Sequence, residues 1–198
     1  VITVDLHAAQ IQGFVTFPID NLYASPLMLD HIEKNIVRGN PDDVVIVSPD
    51  AGGAKRAEKM ADSLDTGLAI FSKKRVKANE VASMILVGDV MDKKCILVDD
   101  MCDTGGSLVT AANQLVAAGA REVHAAITHG VLSNPALSRI TNSPIDQFIV
   151  TDTIPMTENK KLCPKLTVLK TAPLIAQAIR RVHEGKSVSY LFDHTPVV

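Results

Sequence analysis

The chain has 198 residues, of which 46% are hydrophobic and 21% are charged, and it contains no tryptophan. This composition is typical of a globular protein and excludes a disordered or fibrous chain, and the length allows one complete domain with part of another. The formal net charge of −2 provides no basic surface of the kind that nucleic acid needs, so we expect no nucleic-acid partner.

The apolar segments are too short to cross a membrane, because none approaches the roughly 18 to 20 residues that a bilayer requires. The opening residues, VITVDLHAAQ, also lack the basic region and cleavage site of a signal peptide. We therefore expect a cytoplasmic protein with no membrane partner. Cys95, Cys102 and Cys163 show no metal-ligand spacing, which predicts reduced thiols rather than a zinc site.

Short β-branched runs alternate along the chain with segments in which apolar residues recur at spacings of three and four. The runs predict strands at residues 1–4, 44–48, 68–71, 95–99, 123–128 and 147–151. The periodic segments predict helices at residues 27–36, 54–63, 107–118, 135–142 and 174–184, and a strand-like tail follows at 187–192. This alternation predicts an α/β fold in which helices cover both faces of a parallel sheet.

The first predicted strand begins at Val1, with nothing ahead of it to start a domain. A natural chain rarely opens in this way. We therefore expect that N-terminal sequence is missing.

His7 and Asp50 each follow a predicted strand, at residues 1–4 and 44–48 respectively. Both side chains could face one crevice, and an imidazole with a carboxylate is an acceptable pair for Mg²⁺, which keeps few protein ligands. The alternative is that His7 is a hydrogen-bonded structural histidine and that Asp50 belongs to a turn. The residues alone favour this alternative.

Lys73 and Arg75 lie in the basic stretch SKKRVKAN, directly after the predicted strand at 68–71. A loop in this position could close over an anionic transition state. Basic runs are more often solvated surface, and charge alone favours that interpretation. We assign Lys74 and Lys77 no role beyond local charge.

Residues 95–108, CILVDDMCDTGGSL, combine an apolar strand, two aspartates, a loop of small residues and a predicted helix. Ligands of open α/β sheets bind at the carboxyl ends of strands, and a helix N-terminus with glycines and hydroxyls suits a phosphate. The predicted phosphate loop consists of Asp103, Thr104, Gly105, Gly106 and Ser107. Asp99 and Asp100 would accept hydrogen bonds from a polyol such as ribose, unless they only cap the following turn.

The acidic pair followed by DTGGS resembles the phosphoribosyl-diphosphate loop of type I phosphoribosyltransferases and of ribose-phosphate diphosphokinases. Further segments resemble the diphosphokinases in the order that this family shows: VDLHAAQIQGF, PIDNLYASP, VSPDAGGAKRA, KKRVKANEV, THGVLS and SVSYLF. Ordinary phosphoribosyltransferases lack most of these segments. The similarity covers essentially the whole chain.

The resemblance implies an enzyme that transfers diphosphate from Mg-ATP to the 1-hydroxyl of ribose 5-phosphate, giving 5-phosphoribosyl 1-diphosphate and AMP for nucleotide biosynthesis. It also implies a type I phosphoribosyltransferase-like fold. Residues 1–25 would be the remnant of an N-terminal domain of this type, and residues 26–168 a C-terminal domain that binds ribose 5-phosphate. Residues 169–198 would form a helix and strand tail across both.

The same resemblance implies roles for single residues. His7 and Asp50 would contact Mg²⁺ and the ATP phosphates, and Lys73 and Arg75 would neutralise charge on the transferring diphosphate. The phosphate loop would bind the 5-phosphate, and the aspartate pair before it would bind the 2- and 3-hydroxyls.

The C-terminal tail resembles the family's contribution to a regulatory phosphate or ADP site that forms between subunits, through Ser187, Ser189 and Phe192. The family builds sites across subunits, so we expect a homo-oligomer or a hetero-oligomer with related subunits. Two alternatives remain open for the function. A non-catalytic regulatory subunit is expected to have lost loop residues that this chain retains, and a salvage phosphoribosyltransferase leaves VDLHAAQIQGF and SVSYLF unexplained.

Overall fold

A computed structural model of the protein describes residues 1–74, 83–156 and 159–194. Its strands are β1 Ile2–Val4, β2 Asp20–Leu22, β3 Val44–Ser48, β4 Gly67–Lys74, β5 Ser83–Val87, β6 Lys94–Cys102, β7 Glu122–Gly130, β8 Gln147–Thr151 and β9 Leu166–Leu169. Its α-helices are α1 Ser25–Ile32, α2 Ala54–Leu64, α3 Gly106–Ala117, α4 Ala136–Thr141, α5 Asn159–Leu162 and α6 Ala172–His183. Helix α1 continues as a π-helical turn over Glu33–Val37, and 3₁₀ turns cover Ala9–Phe14, Pro41–Asp43 and Val188–Phe192.

Within the described part of the chain, the main sheet has seven strands in the order β5-β4-β3-β6-β7-β8-β9. All neighbouring strands in this order are parallel except β5, which pairs antiparallel with β4 at one edge. Parallel strands need helical crossovers, which cover the sheet on both sides. The predicted α/β fold with a mostly parallel sheet is confirmed.

The side chains of β3 divide between two layers of the core, because successive side chains of a strand point to opposite faces. Every residue of β3 is buried. Val45 and Val47 join the apolar cluster that contains α3, whereas Val44 and Ile46 join the cluster that contains α1 and α2. A β-branched run without polar positions therefore marks a strand buried on both faces.

A third, smaller apolar cluster joins the two ends of the chain. Strands β1 and β2 form a separate parallel pair, and Leu22 of β2 packs with Leu174 and Ala178 of α6 and with Leu191 of the tail. The smaller sheet thus packs against α6 and the 3₁₀ turn that follows it. The division into domains at residues 25 and 168 stays a prediction.

Two differences from the sequence-based prediction concern elements that carry predicted site residues. The tail is not a strand but a 3₁₀ turn over Val188–Phe192, because Leu191 reaches the third cluster together with Val188, three residues earlier. Strand β6 continues to Cys102, where it still pairs with Gly130 of β7. Asp100 therefore lies inside β6 together with Asp99, rather than beyond the predicted end of the strand at residue 99.

None of the helices within the described ranges combines the length and the apolar character that crossing a bilayer would require. Cys95, Cys102 and Cys163 are free thiols, as the sequence predicts, and all three are buried.

Candidate active site

A cleft of about 380 Å³ lies at the carboxyl ends of β3 and β6, where the predicted phosphate loop joins β6 to α3. Asp50 and Asp99 line it together with every residue of that loop, Asp103, Thr104, Gly105, Gly106 and Ser107. The structure therefore brings together two predicted groups that are separate in the sequence. This position, at the carboxyl edge of a parallel sheet, is where such folds bind ligands.

The phosphate loop turns sharply into α3 through Gly105, which adopts a left-handed conformation with φ of 71°. Glycine takes this conformation without steric cost. Arg139 of α4 holds the loop from outside by donating a hydrogen bond from Nη1 to the Thr104 carbonyl at 3.1 Å. The first amides of α3 and the hydroxyls of Thr104 and Ser107 give this corner of the cleft the character of an anion site.

Asp99 and Asp100 belong to one network of hydrogen bonds and ion pairs. Arg56 of α2 donates from Nη1 to Asp99 Oδ1 at 3.2 Å and lies 3.5 Å from Asp100 Oδ1. His7 Nδ1 lies 2.6 Å from Asp100 Oδ2. The Asp100 side chain is only 5% exposed and both of its oxygens are engaged, whereas the Asp99 side chain is 32% exposed.

The two carboxyl groups ionise differently. Burial raises the pKa of Asp99 to about 7, and a hydrogen bond with the Asp100 carboxyl adds to the increase. Burial acts in the same direction on Asp100, but hydrogen bonds with Asp99 and His7 and the charge of Arg56 outweigh it and lower the pKa of Asp100. Near neutral pH, Asp100 holds a full negative charge, whereas Asp99 is only partly ionised.

His7 is oriented by this network. The ionised Asp100 can only accept a hydrogen bond, so the His7 Nδ1 carries the proton and donates it. In the tautomer that carries its proton on Nδ1, the ring has a lone pair on Nε2, and the side chain is 71% exposed. A histidine whose other nitrogen donates to a carboxylate has the arrangement that metal-binding histidines usually show.

Asp50 forms the turn that leads into α2. Its Oδ1 accepts hydrogen bonds from the amides of Gly52 at 2.8 Å and Gly53 at 3.1 Å, which is the turn that the alternative interpretation predicts. A Cβ on Gly53 would lie 2.8 Å from the Ser48 Oγ, so a larger residue there would displace the Ser48 hydroxyl. The Asp50 Oδ2 has no hydrogen bond among the described residues and remains available to a ligand.

A larger cleft of about 700 Å³ lies beside the first one, and Asp99 lines both. His7 and Arg56 line the larger cleft, whereas Asp50 lines the smaller. The structure thus brings His7 to Asp100 rather than to Asp50.

Among the residues that are described, no group of three or more His, Cys, Asp or Glu side chains is arranged to hold a metal ion. The assignment of His7 and Asp50 to Mg²⁺ stays a prediction.

Asp5 was not predicted from the sequence, although it anchors the segment that carries His7. Its Oδ2 accepts hydrogen bonds from the Ala24 amide at 3.0 Å and from Thr128 Oγ1 at 2.7 Å. His129 Nε2 lies 3.0 Å from the Asp5 carbonyl oxygen. These contacts tie the end of β1 to the carboxyl end of β7, and they place His7 beside the sheet.

The remaining predicted residues belong to the basic stretch and to the C-terminal tail. Lys73 belongs to β4, where its backbone pairs with Met84 of β5, and Arg75 lies outside the described residues. In the tail, Ser187 Oγ lies 2.6 Å from Ser189 Oγ. Phe192 packs edge-on against the ring of Tyr23, with 5.2 Å between the ring centroids. The catalytic and regulatory roles of these residues stay predictions.

Comparison with known proteins identifies close relatives. Residues 72–193 match the family described as the phosphoribosyl synthetase-associated domain. Ribose-phosphate pyrophosphokinase 3 of Saccharomyces cerevisiae is 52% identical over 197 residues, which cover 100% of this chain and 61% of that protein. The crystal structure of phosphoribosylpyrophosphate synthetase from Mycobacterium smegmatis matches with a TM-score of 0.84 and 46% identity, over 93% of this chain and 58% of that one. The chain therefore spans about three-fifths of the length of these relatives.

Proposed function

The chain belongs to the phosphoribosyl pyrophosphate synthetase family, and we propose that it acts as a ribose-phosphate diphosphokinase. The proposed reaction transfers the terminal diphosphate of Mg-ATP to the 1-hydroxyl of ribose 5-phosphate. Its products are 5-phosphoribosyl 1-diphosphate and AMP. The resemblance seen in the sequence motifs is confirmed at the level of the family.

The observation that supports the proposal is the shared cleft of the phosphate loop and Asp99. The loop offers helix amides and hydroxyls to a phosphate, and Asp99 offers a carboxylate to sugar hydroxyls. A phosphorylated sugar has these two kinds of group at opposite ends. Ribose 5-phosphate would therefore place its phosphate on the loop and its 2- and 3-hydroxyls toward the aspartates.

The chemistry needs no covalent intermediate on the protein. The 1-hydroxyl oxygen attacks the β-phosphorus of ATP in line and a new O–P bond forms. The bond between the β-phosphorus and the oxygen that bridges it to the α-phosphate breaks, AMP leaves, and the hydroxyl proton is released. Catalysis would come from positioning and charge neutralisation, with Lys73 and Arg75 as the cations that we propose for the transferring group. Burial raises the pKa of the Cys102 thiol in the cleft wall to about 11, so this thiol stays protonated.

The residues present fit Mg²⁺, which accepts carboxylate oxygens and completes its shell with water and phosphate oxygens. We propose that His7 and Asp50, which line adjoining clefts, both contribute to holding it, since no hydrogen bond from another described residue occupies His7 Nε2 or Asp50 Oδ2. When bound, the ion would neutralise negative charge on the ATP phosphates. We also propose that the protein is cytoplasmic and assembles with copies of itself or with related subunits.

The test is an assay of the 198-residue chain with Mg²⁺, ATP and ribose 5-phosphate, in which AMP and 5-phosphoribosyl 1-diphosphate are followed together. Ribose 5-phosphate binding is measured in parallel by calorimetry. Equal formation of both products would support the proposal. Binding without turnover would support a sugar-phosphate site in an incomplete enzyme, and the absence of both would favour the non-catalytic regulatory subunit.

A further inference from the structure

Arg56 contacts both aspartates of the candidate sugar site from a distant part of the chain. The contacts cross 43 residues to Asp99 and 44 residues to Asp100, and one nitrogen, Nη1, makes them both. We propose that Arg56 is a positioning residue, which holds the two carboxylates in the arrangement that receives the sugar hydroxyls. This inference rests on the proposed function, because it concerns the same ribose 5-phosphate site.

The packing of α2 fixes the place from which Arg56 acts. The neighbouring residue Ala57 is fully buried, and Met60, one turn further along, is 2% exposed. Arg56 itself is half-buried, with 31% of its side chain exposed. Its guanidinium lies close to the turn before α2, since a Cβ on Gly53 would come within 3.9 Å of Nη1. The buried face of α2 therefore fixes the helix against the sheet, and this fixes the position from which the Arg56 side chain extends.

The two carboxylates need such a partner because their positions in β6 do not bring them together. Consecutive side chains of a strand point to opposite faces. The Asp100 amide donates to Asp99 Oδ1 at 2.9 Å, which turns the Asp99 side chain back along its own strand. Arg56 then bridges the two groups, and His7 holds the far oxygen of Asp100.

The bridge gives the two aspartates different tasks. Asp100 is nearly inaccessible and is held by Arg56 and His7, so it serves as a fixed anion. Asp99 is more exposed and lines both clefts, so it is the carboxylate that faces a ligand. Removal of Arg56 would leave the Asp99 carboxylate held only by the Asp100 amide, and the site for the hydroxyls would lose order.

A competing role is that Arg56 binds an anionic substrate directly, because it also lines the larger cleft. The two roles predict different substrate dependence. A positioning residue for the aspartates affects ribose 5-phosphate, whereas a direct anion contact in the larger cleft affects a second phosphorylated ligand such as ATP.

The experiment compares Arg56→Met with Lys59→Met in the 198-residue chain, by calorimetric titration of ribose 5-phosphate and, separately, of Mg-ATP. Lys59 is a matched control, since it is a cation on the same helix whose ion-pair partner is Asp193 at 2.8 Å. We expect Arg56→Met to raise the Kd of ribose 5-phosphate by about 10- to 100-fold, the size of effect that follows when the partner that orients a metal ligand is removed. Lys59→Met should leave this Kd within about twofold.

Two further variants distinguish positioning from mere folding. Arg56→Lys keeps the charge without the planar fork and should recover part of the affinity, and guanidinium ion should restore binding to Arg56→Ala. Arg56→Met and Asp100→Asn should not be additive, because both break the same bridge. Thermal unfolding of each variant shows that it is folded, and Arg56→Lys provides the test if Arg56→Met is not.

Each outcome has one meaning. An unchanged Kd of ribose 5-phosphate in Arg56→Met, with a wild type that binds it, would overturn the positioning role alone. Weakened Mg-ATP binding with unchanged ribose 5-phosphate binding would overturn it in favour of a direct anion contact. A wild-type chain that does not bind ribose 5-phosphate would instead contradict the proposed function.

Discussion

Asp5 combines two properties that rarely meet in a non-glycine residue, a left-handed backbone with φ of 44° and a buried carboxylate. Strain of this kind persists only where the surroundings hold it, and it concentrates near functional sites. Here the Ala24 amide and the Thr128 hydroxyl both donate to the Asp5 carboxylate. The residue therefore fixes the chain two positions before His7.

We expect Asp5→Ala to lower the free energy of unfolding by about 1 to 3 kcal/mol, because it leaves a buried amide and a hydroxyl without their acceptor. Asp5→Asn should cost less, since asparagine keeps one acceptor oxygen and tolerates the left-handed region. Urea unfolding measures both. Asp65→Ala is the control, because Asp65 is exposed and has φ of 53°. If the two alanine variants lost equal stability, backbone strain and not the carboxylate would explain the effect.

Gly105 offers a second test at the same scale. We expect Gly105→Ala to weaken ribose 5-phosphate binding by about tenfold or more, since a forced shift of the phosphate loop misplaces its amides. Gly39→Ala is a matched control, because Gly39 has a similar φ of 78° and an added Cβ there would meet no atom within 4 Å. Both variants should lose similar stability, and calorimetry should show a loss of affinity in Gly105→Ala only. Equal affinities would contradict the assignment of the loop.

The sequence predicts residues of this site where the signal is local. The phosphate loop is one contiguous stretch between a strand and a helix, so its composition indicates its position. Arg56, Asp5 and Arg139 give no such signal, because their partners lie between 19 and 123 positions away. Only the folded sheet brings them together, and neither charge nor spacing distinguishes them from surface residues.

Helix α6 connects the ends of the chain, and its two faces differ. Leu174 is fully buried against Leu22 and Leu191, whereas Ile179 on the same helix is 56% exposed. We expect Leu174→Ala to cost about 2 to 5 kcal/mol of unfolding free energy, because it leaves a cavity in a small cluster. Ile179→Ala should change stability by less than about 0.5 kcal/mol.

The loss of stability in Leu174→Ala should be greatest in the elements that the third cluster supports. Amide hydrogen exchange in β1 and β2 should accelerate more than exchange in β3, because the third cluster supports only the smaller sheet directly. Uniform acceleration across β1 and β3 would show that the two sheets unfold as one unit, contrary to this view.

Elements with a strong apolar run were predictable, and the short ones were not. Strands β3 and β8 begin and end where the sequence predicts, since most of their residues are β-branched or aromatic and buried, and each strand has a partner on both sides. Strand β2 has only three residues and exists through its pairing with β1. Strand β5 is an edge strand whose partner is the end of β4. Both depend on pairing rather than on their own composition, so periodicity does not reveal them.

At the scale of the whole molecule, the candidate site draws on all three apolar clusters. The smaller sheet supplies His7, the layer with α2 supplies Arg56, and the layer with α3 supplies the phosphate loop. The sequence predicts the sheet and the edge at which ligands bind, because alternating strands and helices imply a parallel sheet whose carboxyl edge binds ligands. It does not predict which parts of that edge meet, since this depends on how the separate pair β1 and β2 docks.

Binding at a junction of clusters should stabilise the whole molecule. Ribose 5-phosphate at 100 times its Kd should raise the free energy of unfolding by about 2.7 kcal/mol, which thermal denaturation would detect as an increase of about 5 to 10 °C in Tm. The compound 2-deoxyribose 5-phosphate keeps the phosphate but lacks one hydroxyl, so it leaves a carboxylate of the Asp99 and Asp100 pair without that partner. It should need about tenfold higher concentration or more for the same shift. Equal shifts would show that the aspartates do not contact the 2-hydroxyl. If neither compound raised Tm, the assignment of the phosphate loop would be contradicted.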